Sequence, residues 1–218
     1  MPGRGKFITF EGLDGSGKST QIDKLARSLR AHGIPVTVTR EPGGTETGEK
    51  IRGVLLHSAT SGLAPMAEMA LMFASRAQHI QQVIQPALAE GRVVLCDRYT
   101  DSTEAYQGGG RKLGSKPVLQ LHETLCGGLD PDMTILLDNE VSFSVERARR
   151  RNRQHRGRSE KDENRFEQEN RAFFQRVRQA YLAIAAREPQ RVQVINARGT
   201  PGETHAAIME LIKKKLKI

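Results

Sequence analysis

Four residues near the start of the chain have the types and the spacing of a phosphate-binding loop. They are Gly12, Gly17, Lys18 and Ser19, which fit the pattern G-x-x-x-x-G-K-[ST]. Glycines let successive backbone N–H groups turn into one anion-binding hollow, and a helix that begins near Lys18 would aim its positive end at the same point. The Lys18 ammonium could then bind the β- and γ-phosphates, and the Ser19 hydroxyl could ligate Mg²⁺. The pattern predicts binding of a nucleoside triphosphate but does not say what happens to its phosphate.

Two acidic residues follow apolar runs that predict buried strands. Asp97 follows the run Val93–Cys96, and Asp138 follows the run Thr134–Leu137. An acid at such a position can hold the water shell of Mg²⁺. Asp97 is followed by Arg98, which suits a site that handles phosphates. The sequence alone does not rank the two acids, because Asp138 would serve equally well as an acid near the start of the next helix.

Two further segments offer groups that could recognise an organic ligand. Phe73 and Arg76 lie three residues apart in a helical pattern, so they share a face where a ring and a guanidinium could stack on a base and hydrogen-bond to it. Hydroxyl, amide and phenol groups cluster between Asp101 and Gly110. Each segment also has a plainer interpretation. Phe73 and Arg76 could be a core phenylalanine beside a solvated arginine. The segment between Asp101 and Gly110 could be a capped helix followed by a flexible glycine loop.

The elements that must position these residues alternate along the chain. β-Branched runs predict strands at Lys6–Phe10, Val36–Thr39, Val93–Cys96, Thr134–Leu137 and Val192–Ile195. Amphipathic patterns predict helices at Lys18–His32, Glu49–Leu56, Pro65–Glu90, Pro117–Leu125, Ser142–Arg151, Arg165–Arg187 and Pro201–Leu216. Pro86 would kink or end the third of these helices. The alternation predicts an α/β fold in three layers, a five-stranded parallel sheet with helices on both faces, and ligands beyond the carboxyl ends of the strands.

Composition narrows the classes of protein to which the chain can belong. With 218 residues, of which 37% are hydrophobic and 27% charged, it can bury the core of one large domain and is not a wholly disordered chain. No apolar run approaches the ~20 residues of a membrane span, and the N-terminus lacks the apolar region of a signal peptide. Two cysteines exclude a disulfide scaffold, so we expect a reducing, cytoplasmic location.

The positive charge of the chain is concentrated in one segment. The formal net charge is +9, and seven arginines with no acid lie between Arg147 and Arg158. Such a run favours contact with a polyanion, such as nucleic acid, acidic lipid or a phosphorylated small molecule, or else forms a helix face in solvent. Aromatic residues are only 5% of the chain and tryptophan is absent, which leaves little material for the stacking surface of a nucleic-acid-binding protein.

Six segments taken together resemble the thymidylate kinases, the dTMP kinases of the nucleoside-monophosphate kinase group. They are Phe10–Thr20, Thr39–Thr45, Phe73–His79, Asp97–Tyr99, Ala105–Gly110 and Arg165–Glu169. They occur in the family's order and span nearly the whole chain. Many enzymes share the phosphate loop, whereas the set of six is specific. The resemblance is to the bacterial type with a P-loop NTPase fold, which carries no arginine inside the phosphate loop and supplies arginine from a mobile lid.

The resemblance implies a role for each matching residue. Phe73 would stack on thymine, Arg76 would hydrogen-bond the edge of the base, and Tyr106 would lie under the deoxyribose. Many members place the stacking aromatic four residues before the arginine, where this chain has Met72. The implied dTMP-binding residues are Pro42, Arg52, Phe73, Arg76, Arg98, Thr103, Tyr106 and Gln107. The implied ATP-binding residues are Gly12, Leu13, Asp14, Gly15, Ser16, Gly17, Lys18, Ser19, Thr20 and Arg149. The implied metal ligands are Ser19 and Asp97. The implied catalytic residues are Lys18, Asp14, Arg98 and Arg151.

The resemblance also implies a lid at about residues 149–165, within a single P-loop kinase domain that spans residues 1–218. Arg149, Arg151 and Arg165 are its candidates to reach ATP, with Arg151 first. The segment from Asn152 to Asn164 is longer than its counterpart in most members. Family members are homodimers through helices of the region around the third helix, and the resemblance implies the same for this chain.

The implied activity is Mg²⁺-dependent transfer of the γ-phosphoryl group of ATP to dTMP, which gives dTDP and ADP for dTTP synthesis. The implied enzyme is cytoplasmic and has no membrane or nucleic-acid partner. A kinase for another nucleoside monophosphate is the nearest alternative. A P-loop ATPase that binds nucleic acid is a second, motivated by the arginine run. A GTPase switch would need an Asn-Lys-x-Asp motif, which the sequence lacks.

Overall fold

In the computed structural model, which describes residues 4–60, 62–155 and 165–216, five parallel strands form one sheet. The strands are β1 (Phe7–Glu11), β2 (Val36–Arg40), β3 (Val93–Asp97), β4 (Met133–Asp138) and β5 (Val192–Asn196), in the order β2-β3-β1-β4-β5. In the central strand, Phe10 lies beside Asp97 of β3 and Ile135 of β4. All five predicted strands are confirmed, and so is the α/β fold class.

The burial of the strands explains why local patterns predict them. β1 is buried over its whole length, and β3 is buried except at Asp97. Strands that are covered on both faces contain continuous apolar, branched runs. The edge strands β2 and β5 instead mix buried residues with partly or fully exposed ones.

Helices cover both faces of the sheet. They are α1 (Lys18–Ala31), α2 (Glu46–Leu56), α3 (Pro65–His79), α4 (Gln85–Ala89), α5 (Thr100–Thr103), α6 (Ser115–Cys126), α7 (Val141–His155), α8 (Arg171–Arg187) and α9 (Pro201–Leu216). Ile8 and Phe10 pack against α1 and α9, whereas Phe7 packs on the opposite face against α3 and α4. Each face therefore has its own apolar layer, as the three-layer prediction requires. Within the described ranges, none of the helices has the length and apolar character that a membrane crossing needs.

The helical path that starts with α3 continues past Pro86. A π-helical turn, Ile80–Ile84, joins α3 to α4, and the N–H of Gln85 donates to the carbonyl oxygen of Ile80. Proline has no N–H to donate, and a wider turn relieves its clash with the preceding turn of helix. The path therefore reaches Ala89, close to the predicted end.

Two other segments differ from their sequence interpretations. The predicted helix Arg165–Arg187 is a 3₁₀ turn, Phe166–Gln168, followed by α8. Asn170 separates the two, because its side chain accepts a hydrogen bond from the N–H of Phe173 at 2.9 Å and caps α8. The segment Glu104–Gly110, for which a flexible glycine loop was one interpretation, is a π-helical segment that is buried except at Gly109, which is half-buried.

Candidate active site

The phosphate-binding loop lies between β1 and α1, at the carboxyl end of the central strand. Gly12 has a φ of 131°, and a Cβ there would lie 2.5 Å from the carbonyl oxygen of Leu137, so torsion and space both require glycine. The Lys18 ammonium donates to the carbonyl oxygens of Gly12 and Leu13, both at 3.0 Å. Burial, together with the nearby positive charge of Arg98, lowers the pKa of Lys18 to about 8. Phosphates bound in the loop would favour its charged form.

Ser19 and Asp97 meet beside the loop. The Ser19 hydroxyl donates to Oδ2 of Asp97 at 3.0 Å, although 78 residues separate the two. Asp138 instead forms an ion pair with Arg178, whose Nε and Nη2 donate to its two oxygens at 2.7 Å each. The structure thus ranks the two candidate acids. Asp97 adjoins the loop hydroxyl, and a hydroxyl next to a carboxylate is an oxygen pair that suits Mg²⁺.

Arg98 connects the loop to the rest of the site. Its Nη2 donates to Oδ1 of Asp14 at 2.9 Å and to the hydroxyl of Tyr106 at 3.2 Å. Its Nη1 donates to the hydroxyls of Ser102 and Tyr181, at 3.0 and 3.2 Å. Its guanidinium carbon also lies 4.9 Å from the centre of the Tyr106 ring. These contacts hold one cation in a defined place beside the loop.

Glu11, at the end of β1, binds the two hydroxyl groups, of Ser102 and Tyr181, that also contact Arg98. It is fully buried and accepts hydrogen bonds from the N–H of Tyr99 at 2.7 Å, the hydroxyl of Ser102 at 2.5 Å and the hydroxyl of Tyr181 at 2.9 Å. Burial raises the pKa of Glu11 to about 7. No role is predicted for Glu11 from the sequence, in which its one signal is that an acid ends an apolar run.

Arg76 on α3 marks the other end of the site. Its Nε donates to Oε2 of Glu41 at 2.7 Å, and its Nη2 donates to Oγ1 of Thr103 at 2.9 Å. Its Nη1 is buried and has no hydrogen-bond partner among the described residues. A buried donor left in this state costs free energy. A ligand with an acceptor oxygen at this point would satisfy it.

Glu41 is held in turn by His79. Nδ1 of His79 lies 2.9 Å from Oε1 of Glu41, and its Nε2 lies 2.6 Å from Oγ1 of Thr39. Cys96 also lies close to both Glu41 and His79. Because both ring nitrogens are already engaged, the cluster serves as a support for Arg76 rather than as a metal site. The sequence patterns predict no role for any histidine, so this support becomes visible only in the fold.

These groups open onto one cavity of about 690 Å³, bounded by the phosphate loop, by Arg98 and by Arg76. Most of the residues that the sequence predicts for the site line this cavity. They are Asp14, Gly15, Gly17, Lys18, Ser19, Thr20, Pro42, Arg52, Arg76, Asp97, Arg98, Thr103, Tyr106 and Gln107. A phosphate-binding loop and a polar pocket therefore share a single space.

Comparison with known proteins agrees with this geometry. The family model described as thymidylate kinase matches residues 10–208. The chain is 47% identical to a thymidylate kinase of Trichlorobacter lovleyi over 97% of this chain and 99% of that protein, and 50% identical to one of Pseudomonas putida over 88% of each. The chain belongs to the thymidylate kinase family. A crystal structure of thymidylate kinase from Ehrlichia chaffeensis has the same fold, with a TM-score of 0.76 at 31% identity, over 97% of this chain and 100% of that one.

In this member of the thymidylate kinase family, Phe73 does not line the cavity. It is fully buried in an apolar cluster with Phe7 and Met69, and its ring centre lies 4.8 Å from the guanidinium carbon of Arg76. Met72 lines the cavity instead. The predicted stacking role of Phe73 is therefore wrong. The position four residues before Arg76, at which the family's aromatic is common, is the one that faces the cavity.

Three predicted residues of the phosphate loop lie behind the cavity surface. Leu13 and Ser16 are buried, and neither they nor Gly12 belong to the lining. The carbonyl oxygens of Gly12 and Leu13 accept hydrogen bonds from Lys18. These two residues therefore act by placing the lysine.

The predicted lid arginines fall partly outside the described residues. Arg149 and Arg151 belong to α7, but their side chains, like residues 156–164, lie outside what the structure describes. Arg165 is described, is 3% exposed and does not line the cavity. Its Nη1 donates to Oε2 of the buried Glu68 at 2.6 Å. This ion pair corrects the expectation that Arg165 reaches ATP.

The cavity also contains residues to which the sequence analysis gave no role. They are Arg40, Glu41, Leu56, Met72, Tyr99, Ser102, Arg147 and Phe166. Some of them had a signal in the sequence. Met72 has the family's spacing from Arg76, Arg147 begins the arginine run, and Phe166 lies in a matching segment. Arg40, Glu41 and Tyr99 lie in matching segments too, and Ser102 belongs to the hydroxyl-rich stretch between Asp101 and Gly110. Leu56 had no such signal and needed the fold to bring it to the site.

Proposed function

We propose that the protein transfers the γ-phosphoryl group of ATP to the 5′-phosphate of dTMP and so forms dTDP and ADP. One observation carries the proposal. The phosphate loop and the Arg76 pocket open onto the same cavity, and Arg98, which contacts Asp14 and Tyr106, joins the two ends. A nucleoside triphosphate in the loop and a nucleoside monophosphate in the pocket would meet with their phosphates close together.

The acceptor phosphate needs positioning more than it needs a base. A phosphate monoester has a second pKa of about 6 and is largely ionised at neutral pH. The main obstacle is then repulsion between two anions. Lys18, Arg52 and Arg98 line the cavity and would offset that repulsion while stabilising charge in the transition state. Asp14 would keep Arg98 in place through its hydrogen bond.

Ser19 and Asp97 would hold Mg²⁺. Their side-chain oxygens lie 3.0 Å apart at the edge of the phosphate loop, and both are ligand types that this ion accepts. When bound, the ion supplies charge neutralisation at the β- and γ-phosphates. The predicted ATP-binding residues that line the cavity would surround the same phosphates; they are Asp14, Gly15 and the run Gly17–Thr20. Gly12 and Leu13 would hold Lys18 in place behind them.

The Arg76 end of the cavity would bind the nucleoside. Nη1 of Arg76, which no described residue pairs, is a donor that suits a base carbonyl such as O4 of thymine. Met72 and Phe166 line the cavity and would make the apolar contacts with the base. The remaining acceptor site would comprise Pro42, Arg52, Arg98, Thr103, Tyr106 and Gln107.

We also propose that residues 1–218 form one P-loop kinase domain with a lid at about 149–165. Arg149 and Arg151 would approach ATP from that lid, with Arg151 acting on the transferred group. A lid of this kind excludes water, which would otherwise hydrolyse ATP. The enzyme would work in the cytoplasm without a membrane or nucleic-acid partner.

A homodimer through α3 is part of the same proposal. α3 packs against α2 and α6, and these three helices carry the exposed side chains Val54, Met66, Leu119 and Leu125, which are between 41% and 54% exposed. Exposed apolar side chains on helices that pack together can supply a subunit interface. Sedimentation equilibrium is expected to give twice the chain mass of 24.2 kDa. A monomer at micromolar concentration would contradict the dimer.

The activity is tested by ADP release with ATP and Mg²⁺, with dTMP, dUMP, UMP, AMP, CMP and GMP offered separately. We expect turnover with dTMP far above that with the ribonucleotides. Lys18→Ala should lower kcat by about 100-fold or more, because it removes a cation from the transferred phosphates. Arg27→Ala is the matched control, since Arg27 is an exposed cation of the same helix and should be neutral.

Two results would overturn the proposal. Strong turnover with another nucleotide alone would retain the phosphate chemistry but remove dTMP as the acceptor. ADP release without any acceptor, stimulated by DNA, would favour the nucleic-acid-binding alternative.

A further inference from the structure

Glu68 is a fully buried carboxylate that does not reach the cavity. It lies on α3, is 0% exposed and is absent from the cavity lining. Its Oε1 accepts a hydrogen bond from Nε2 of Gln107 at 2.7 Å, and its Oε2 accepts one from Nη1 of Arg165 at 2.6 Å. Arg111 donates to both oxygens at 3.3 Å each. One acid on α3 therefore gathers groups from two other parts of the chain.

This arrangement determines which end of the Gln107 amide faces the cavity. A carboxylate can only accept hydrogen bonds, and the guanidinium groups of Arg111 and Arg165 stabilise its negative charge. The NH₂ end of the amide must therefore point to Glu68. Within the described part of the chain, Gln107 makes no other side-chain hydrogen bond. Because Gln107 lines the cavity, its carbonyl oxygen is the amide atom left for a ligand.

Gln107 and Arg76 then present opposite hydrogen-bonding groups. Arg76 donates Nη2 to Thr103, and its Nη1 has no hydrogen-bond partner in the part of the chain that the structure describes. Gln107 follows Thr103 by one helical turn. The pocket thus offers one donor and one acceptor. A base edge with a carbonyl oxygen beside a ring N–H matches this pair, as in thymine or uracil. Cytosine has an amino group and an unprotonated ring nitrogen at the same positions, so both contacts would be mismatched.

We infer that Glu68 is a positioning residue for specificity, which orients the Gln107 amide and so makes the pocket reject cytosine nucleotides. The inference rests on the proposed function, because it concerns the acceptor end of the same cavity. Glu68 would not touch the base. Its effect would pass through Gln107, since an acceptor-only partner prevents the amide from turning over.

The test compares dTMP with dCMP in the full-length wild type and three variants. Glu68→Gln can either donate to or accept from Gln107, so the amide is free to turn over. Arg111→Gln is the matched control, because it removes a cation from Glu68 but leaves the Glu68–Gln107 hydrogen bond. The double variant Glu68→Gln/Arg111→Gln removes one charge of each sign, that of the buried Glu68 and that of the partly buried Arg111. It therefore keeps the net charge of the cluster and provides a folded background if the single Glu68 variant does not fold.

The measured quantity is the ratio of kcat/KM for dTMP to that for dCMP, with Kd in place of kcat/KM where dCMP turns over too slowly. We expect the ratio to fall about tenfold or more in both Glu68→Gln proteins and to stay unchanged in Arg111→Gln. If Glu68 had a purely structural role, its replacement would lower kcat/KM for dTMP and for dCMP by the same factor. The ratio would then stay unchanged, and that result would overturn the inference. Absence of dTMP turnover in the wild type would instead overturn the proposed function, so the two failures are distinguishable.

Discussion

At the scale of single residues, two neighbours on α3 have different tasks. Met72 lines the cavity, whereas Phe73 is buried against the sheet with Phe7. Side chains one residue apart on a helix diverge by about 100°, so only one of the two can face the nucleoside. Arg76 lies between these environments, because its guanidinium packs over the Phe73 ring while it also lines the cavity.

Replacing the two neighbours should separate binding from stability. Met72→Ala is expected to raise KM for dTMP roughly tenfold with little change in Tm, because it removes apolar contact with the ligand. Phe73→Leu is expected to lower the free energy of unfolding by about 1–3 kcal/mol. Steady-state kinetics and urea unfolding of both variants check this. Loss of dTMP affinity in a fully stable Phe73 variant would restore the stacking role.

At the scale of elements, the segment Glu104–Gly110 positions the acceptor site by packing on α8. It carries Tyr106 and Gln107, which line the cavity. A Cβ at Gly110 would lie 2.6 Å from the Phe173 ring, so the close approach of the two elements requires glycine. The consecutive glycines therefore allow close packing here rather than flexibility.

Gly110→Ala tests this contact between elements. The new methyl group must push the segment away from α8, so we expect a loss of about 1–3 kcal/mol in the free energy of unfolding and weaker dTMP binding. Gly53→Ala is the control, because a Cβ at Gly53 in α2 would meet nothing within 4 Å. It should be neutral or stabilise the protein by up to ~1 kcal/mol. Equal stability of the two variants would show that the segment is not tightly packed.

At the scale of the whole molecule, the parallel sheet gathers the site from distant parts of the chain. The ends of β1 and β3 lie side by side, which brings the phosphate loop to Asp97 and Arg98. The same convergence places Glu11 beneath the site, where it is fully buried. Because polar groups converge at the carboxyl ends of these strands, the carboxyl group of Glu11 is buried at a position that disfavours its charge.

The stability of the whole protein should therefore depend on pH through Glu11. The pKa of Glu11 is raised from its ordinary value of 4.5 to about 7 by burial, so the folded protein keeps a proton that the unfolded chain has already released. The stability that this group contributes is fully present below about pH 4.5 and is lost as the pH rises through about 7.

Glu11→Gln, which cannot ionise, is the variant that checks this dependence. Relative to the wild type, its free energy of unfolding should rise by about 3 kcal/mol between pH 4 and pH 8. Urea unfolding of both proteins across that interval measures the difference. Parallel pH profiles for the two proteins would contradict the assignment.

Local sequence patterns were enough to predict the strands, the phosphate loop and the family resemblance of this protein. The strands and the phosphate loop each depend on residues that are near one another in the chain, where spacing alone decides which groups can act together. The family resemblance depends on six such short segments in a fixed order along the chain. Glycines and Lys18 between a strand and a helix predict a phosphate loop without further information. The six specific segments extended that prediction to most of the residues that line the cavity.

The partners of the buried polar groups, in contrast, follow from how distant parts of the chain pack together. Asp97 rather than Asp138 meets Ser19, His79 supports Glu41 across 38 residues, and Glu68 holds Arg165 across 97. A buried charged or polar group must find its partner wherever packing places one, and that choice depends on how whole elements meet rather than on sequence spacing. The same reason explains why Met72, not Phe73, faces the cavity, since the direction of a helix face follows from what the helix packs against.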